Sequence, residues 1–140
     1  MFIVQFNRAD GKQPELYPYR TREEAQKHFD AFLTDDSGLY KNISIYDDVR
    51  QFVVKILRFH NGKPDKVFAL NDCVRLNREY TSPGEEHDLY AIVNLNDVTD
   101  RADIACLTSK LSIPPRETVG LWMIRPVGTT VDDILSAANE

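Results

Sequence analysis

The chain is predicted to adopt an α+β fold, because strand-like patterns dominate and two stretches carry helix signals. The strand-like patterns fall at residues 1–7, 15–19, 42–46, 52–60, 63–70, 74–80, 88–95 and 118–125. The helix signals lie near residues 21–33 and 97–113. We therefore expect a mixed, mostly antiparallel sheet of about six to eight strands with two packed helices and a short C-terminal helix.

The stretch from Phe52 to Leu70 predicts a β-hairpin. Two runs of β-branched and aromatic residues flank Asn61-Gly62, a dipeptide that favours a type I′ turn because both residues tolerate positive φ. The first run is apolar on both sides, which indicates an interior strand, and Pro64 favours an edge position for the second. The expected register sets these residues opposite each other: His60 and Lys63, Arg58 and Asp65, Ile56 and Val67, Val54 and Ala69.

Another hairpin, joined by the Asp10-Gly11 turn, is predicted at the start of the chain. Pro18 indicates that its second strand lies at a sheet edge or ends early. Thr21 and Glu24 have the spacing of a capping box, so a helix is expected to begin there. The helix is expected to stop near Gly38, since glycine readily adopts the left-handed conformation that ends helices.

A second helix is predicted after Asn96-Asp97, which offers an N-cap. Its apolar stripe would consist of Ile104, Leu107 and Leu111. The strands on either side of each long helix are expected to be parallel and joined by right-handed crossovers. Thr130 and Asp133 repeat the capping pattern and predict the short last helix.

Size and charge place the chain in a broad class of proteins. At 140 residues it is expected to form a single globular α+β domain, residues 1–140. The formal charge of −5 makes nucleic acid an unlikely partner, because nucleic-acid binding relies on a basic surface. The apolar runs are too short to span a bilayer and no leader pattern opens the chain, so no membrane contact and a cytoplasmic location are expected.

The residues that commonly bind metals or perform catalysis are scattered along the chain. His28, His60 and His87 stand singly, without the spacing of a metal site. Cys73 and Cys106 lack the spacing of a redox or zinc motif and are expected to be reduced thiols. The sequence also lacks a phosphate-binding loop and a nucleophile elbow. No metal, cofactor or catalytic residue is predicted.

One short segment has the composition of a binding site. Tyr17, Tyr19, Arg20 and Arg22 lie at the end of a predicted edge strand and the start of the first predicted helix. Guanidinium groups and free backbone N–H groups at a helix start attract anions, and Tyr and Arg are enriched at protein interfaces. The alternatives are that the arginines are merely solvated and that the tyrosines pack on the helix as part of the core.

Two classes of function follow from these observations. The first is a small, non-catalytic domain that binds another protein as an adaptor, regulator or inhibitor, with a homodimer as a variant of the same idea. The second is an enzyme whose site is assembled from residues distant in sequence. Its candidate residues would be Arg58, His60, Tyr80 and His87. A pocket that gathers several of these four side chains would favour the enzyme.

Overall fold

The computed structural model of the chain describes residues 1–113 and 115–131, which contain ten β-strands and one α-helix. The strands are β1 (Phe2–Arg8), β2 (Glu15–Tyr19), β3 (Tyr40–Asp47), β4 (Phe52–His60), β5 (Lys63–Ala69), β6 (Asp72–Leu76), β7 (Tyr90–Asn96), β8 (Arg101–Cys106), β9 (Arg116–Gly120) and β10 (Ile124–Thr130). The helix is α1 (Arg22–Asp30), and two single-turn 3-10 helices span Arg78–Tyr80 and Leu121–Met123.

The strands form two five-stranded antiparallel sheets. The first has the order β2-β1-β3-β4-β5, and the second has the order β10-β6-β7-β8-β9. The predicted fold class is therefore wrong: the described residues are mostly β, in two antiparallel sheets, rather than α+β with one mixed sheet. The predicted parallel crossovers are wrong as well, because every strand pairing described is antiparallel.

The second predicted helix is the main source of that error, since the structure has the strand β8 in its place. Ala102, Ile104 and Cys106 are buried and alternate with more exposed residues, which is the period of a strand. Asn96 does act as a cap, but its side chain accepts hydrogen bonds from the backbone N–H groups of Val98 and Thr99 within a β-turn. The same local hydrogen bonds therefore serve a hairpin instead of a helix.

The first sheet is covered on both faces. On one face α1 places Phe29 against a cluster that includes Phe6 and Ile43. On the other face Ile56 belongs to a cluster shared with the second sheet, which includes Ile92. Strand β4 supplies residues to both clusters, which confirms the prediction that it is an interior strand apolar on both sides.

The central hairpin forms as predicted, but of the predicted register only the pair of His60 and Lys63 is confirmed, and the other three predicted pairs are wrong. Asn61 and Gly62 have φ values of 51° and 77°, as a type I′ turn requires, and β5 lies at the sheet edge. A bulge at Asp65 shifts the pairing beyond the turn, so Ile56 lies opposite Phe68 rather than Val67. Beyond the bulge the observed pairs are Arg58 and Lys66, Leu57 and Val67, Ile56 and Phe68, and Lys55 and Ala69.

The predicted start of α1 is confirmed. The Thr21 hydroxyl accepts a hydrogen bond from the Glu24 backbone N–H at 3.2 Å and donates one to the Glu24 carboxylate at 3.0 Å. The helix ends at Asp30, earlier than predicted. The short last helix was predicted for residues after Thr130, and most of that stretch, 132–140, lies outside the described residues.

Candidate functional site

A cleft of about 500 Å³ opens at one end of the first sheet, and we call it the arginine cleft. Phe2 at the start of β1 pairs with Asp47 at the end of β3, which in turn pairs with Phe52 at the start of β4. The turn between β3 and β4 and the turn after β5 complete the walls. Strand register thus brings residues from four separate stretches of the chain to one place.

Three arginines form the rim of this cleft. Arg20 precedes α1, Arg22 is the first residue of α1, and Arg50 lies in the turn between β3 and β4. All three side chains are exposed. Within residues 1–113 and 115–131, their guanidinium groups form no ion pair or hydrogen bond with another residue. Their donors therefore remain available to a ligand.

Apart from Asp47, the more buried lining residues of the arginine cleft are apolar, and we call them its floor. Phe2, Phe52 and Leu70 are half-buried there, and Val54 is almost fully buried. A partly buried apolar floor below exposed cations can accept an apolar group while an attached anion stays at the mouth. The arrangement suits a ligand that carries both kinds of group.

Asp47 is the acidic residue of the cleft lining, and it has a structural role. Its side chain is buried, and its Oδ1 accepts hydrogen bonds from the backbone N–H groups of Val49 and Arg50, both at 3.1 Å. These bonds hold the turn that carries Arg50 to the rim. The Asp47 carboxylate therefore stabilises the turn from a buried position.

The structure separates the four predicted site residues into two groups. Arg20 and Arg22 line the cleft, whereas Tyr17 and Tyr19 turn towards α1. The Tyr19 hydroxyl is hydrogen-bonded to His28 Nδ1 at 2.8 Å, and the Tyr17 ring lies 4.9 Å from the His28 ring. Partial burial lowers the pKa of His28. Tyr19 thus packs as part of the core, and Tyr17, 42% exposed, lies at its margin.

Strand β2 lies at the sheet edge, as was predicted from Pro18. Pro18 also makes that edge less able to pair with another strand. Pro18 pairs with Ile3 of β1 although it has no N–H group. It must then occupy a non-hydrogen-bonded position, where an N–H would point away from β1 towards the free edge. The free edge lacks a donor at this point, which disfavours the addition of another strand.

Sequence reasoning missed Arg50 and the apolar floor. Arg50 follows Asp47-Asp48, which the sequence marks as a turn, but nothing local relates that turn to Arg20. The relation arises from the pairing of β1 with both β2 and β3. A correct strand order would have been the only signal able to reveal it.

The four residues considered for an enzyme lie in two separate places. Arg58 and His60 are on β4, and the Arg58 guanidinium is paired with Asp65. Tyr80 and His87 lie in the segment between β6 and β7, where His87 lines a different cleft of about 400 Å³. The structure does not bring these four residues together.

A second set of polar side chains lies between the first sheet and the turn from β7 to β8. We call Asn7, Asn42, Ser44, Asp97 and Asp100 the inter-sheet polar cluster. Asp97 Oδ2 accepts hydrogen bonds from Ser44 Oγ at 2.7 Å and from Asn7 Nδ2 at 3.2 Å. Asn42 Nδ2 donates to Asp100 Oδ1 at 2.6 Å and to the Asp97 carbonyl oxygen at 2.7 Å.

Burial dominates the electrostatics of this cluster. Desolvation raises the pKa of Asp100, although the hydrogen bond from Asn42 acts in the opposite direction. Asn42 and Ser44 are fully buried, and each has partners within the protein. The inter-sheet polar cluster therefore joins the two sheets and leaves few free donors or acceptors for a ligand.

No group of three or more His, Cys, Asp or Glu residues in the described part of the chain could hold a metal ion. No helix among those residues is long and apolar enough to cross a membrane. Both cysteines, Cys73 and Cys106, are buried. Cys106 lies on β8 rather than in a helix.

Comparison of the chain with known protein families, with curated proteins and with solved structures finds no match.

Proposed function

We propose that this protein is a small non-catalytic domain that binds another protein, and that the arginine cleft is its binding site. The partner would insert an apolar side chain into the cleft and place anionic groups at the rim. One observation carries the proposal: Arg20, Arg22 and Arg50 line the same cleft as several apolar side chains and have no hydrogen-bond or ion-pair partner within the described residues. Arginine beside an apolar pocket is typical of the residues that dominate protein interfaces.

The local charge supports an acidic partner segment rather than a basic one. The chain as a whole has a formal charge of −5, but three guanidinium groups gather at this cleft. Guanidinium groups bind carboxylates and phosphates in a bidentate manner, and a nearby apolar surface lowers the effective dielectric constant. The proposal includes the cytoplasmic location expected from the sequence, where reduced thiols persist.

The test is quantitative capture of partners from the source cell. Three immobilised forms would be compared: wild type, the triple variant Arg20→Glu/Arg22→Glu/Arg50→Glu, and the control Lys27→Glu. Lys27 is an exposed residue of α1 outside the cleft lining. We expect partners that bind wild type and the control but are reduced at least about tenfold with the triple variant, since charge reversal replaces attraction by repulsion.

Circular dichroism and thermal melting would show that all three proteins are folded. Capture of the same proteins by wild type and the folded triple variant would contradict the proposal. So would the absence of any protein that binds wild type above background.

A further inference from the structure

We infer that the anionic group recognised by the arginine cleft is a phosphorylated serine or threonine followed or preceded by a large apolar residue. The inference rests on the proposed function and specifies the chemistry of the partner segment. The first observation is that three arginine side chains line the cleft. Arg20, Arg22 and Arg50 all line one cleft of about 500 Å³, and none forms an ion pair with a described residue.

A single carboxylate does not match this charge. A carboxylate carries one negative charge and is satisfied by one bidentate guanidinium. Three carboxylates that converged on one cleft would repel one another and would require three residues to be ordered together. A phosphomonoester concentrates a charge of about −1.5 to −2 and three acceptor oxygens on one group. It is the simplest anion that can engage several guanidinium groups at once.

The layout of the cleft determines where the phosphate would lie. The arginines are exposed at the rim, whereas Phe52 and Val54 lie deeper. The phosphate would therefore remain near the mouth, and an apolar side chain from an adjoining residue would enter the floor. Inorganic phosphate alone would use only the upper half of the site.

The start of α1 adds little to phosphate binding. The Thr21 hydroxyl already accepts a hydrogen bond from the Glu24 backbone N–H group. Glu23 and Glu24 also place negative charge in the first turn of the helix. These groups offset the helix dipole that would otherwise attract an anion. Specificity for phosphate should therefore depend on the arginine side chains, and substitution of these arginines would test it.

The experiment uses short fluorescent peptide libraries that differ only at one fixed central position. The central residue is phosphoserine, glutamate or serine, and all other positions are randomised. Binding to the full chain would be measured by fluorescence polarisation, and two further pools would have either leucine or glycine fixed on both sides of phosphoserine. We expect the phosphoserine pool to bind at least about tenfold more tightly than the glutamate pool, a difference of about 1.4 kcal/mol. Leucine should be preferred over glycine.

Variants and competitors define the remaining outcomes. Arg50→Gln should weaken binding of the phosphoserine pool about tenfold, while Lys27→Gln should leave it unchanged. Equal binding of the glutamate pool, with the arginine dependence intact, would overturn the phosphate inference and leave the proposed function standing. Tight binding of inorganic phosphate or adenosine monophosphate, without a leucine preference, would overturn it in favour of a small-molecule ligand. Loss of arginine dependence with every pool would contradict both proposals.

Discussion

The arginine cleft and the inter-sheet polar cluster are both built from polar side chains, but they use those side chains in opposite ways. In the cluster, the buried side chains of Asn42, Ser44 and Asp97 are hydrogen-bonded to each other or to nearby groups. In the cleft, the exposed guanidinium groups have no described partner. Satisfied buried groups contribute to folding specificity and stability, whereas unsatisfied exposed cations are available for recognition.

The difference also has a structural origin. The cluster lies where the first sheet faces the β7–β8 turn of the second, and its residues Asn42, Ser44 and Asp97 are buried there. The cleft lies at one end of the first sheet, and its three arginine side chains are exposed. Substitutions in the two regions should therefore affect different properties. The cluster and its surroundings should control stability, and the cleft should control binding.

The largest effect on stability is expected in the apolar interior beside the cluster. Ile56 is fully buried and pairs directly with Ser44. Ile56→Ala should lower the free energy of unfolding by about 2 to 5 kcal/mol, because it removes buried methyl groups and leaves a cavity. Chemical denaturation would measure the loss. Ile113→Ala is the matched control, since Ile113 is 82% exposed. A loss below about 0.5 kcal/mol at Ile56 would contradict the described packing.

A slightly smaller loss is expected inside the cluster. Asp97→Ala removes a charged acceptor that Ser44 and Asn7 share, and leaves Ser44 with Gln5 and Asn7 with Asn42 as the remaining side-chain acceptors. The unfolding free energy should fall by about 1.5 to 3 kcal/mol, the usual range for hydrogen bonds to charged groups. The exposed Asp36 provides the control Asp36→Ala. If both variants were equally stable, the cluster would not be a stabilising element.

Asp100 allows the cluster to be tested through pH. Because burial raises its pKa above 3.8, the folded state binds the proton more tightly than the unfolded state. Stability from this group is therefore present at low pH and is lost as pH rises from about 3.8 through the folded-state pKa. Asp100→Asn cannot ionise, can still accept from Asn42, and tolerates the positive φ of 52°.

Denaturant titrations at several pH values would compare Asp100→Asn with wild type. The variant should gain stability relative to wild type as pH rises across this range. A constant difference between the two proteins would show that Asp100 does not titrate differently in the folded and unfolded states. Asp36→Asn, on an exposed side chain, should show no such trend.

The smallest effect on stability is expected in the arginine cleft. Replacing Arg20, Arg22 and Arg50 one at a time by Gln should change the unfolding free energy by less than about 0.5 kcal/mol each, because these side chains have no described partner. The same denaturation assay applies. A loss above about 1 kcal/mol at any of these positions would mean that the arginine is structural, which would remove the contrast between the two regions.

Local hydrogen bonding and backbone geometry made several elements predictable from the sequence alone. Asn61-Gly62 specifies its turn because both residues accept positive φ, and Thr21 specifies the start of α1 through its own side chain. The sequence of β4 is apolar on both sides, and this correctly predicted an interior position, because both faces of such a strand are stabilised by burial. Arg20 and Arg22 were likewise recognisable as cations beside a helix start.

Tertiary structure decided the rest, because the deciding contacts join residues distant in sequence. Ile104 fits both a helical stripe with Leu107 and a strand alternation with Ala102, and only pairing with Ile92 of β7 selects the strand. The arginine cleft depends on the same kind of information. Arg50 lines the same cleft as Arg20 only because β1 pairs with β2 on one side and β3 on the other. Strand pairing is a long-range choice, so local residue patterns carry too little information to predict it.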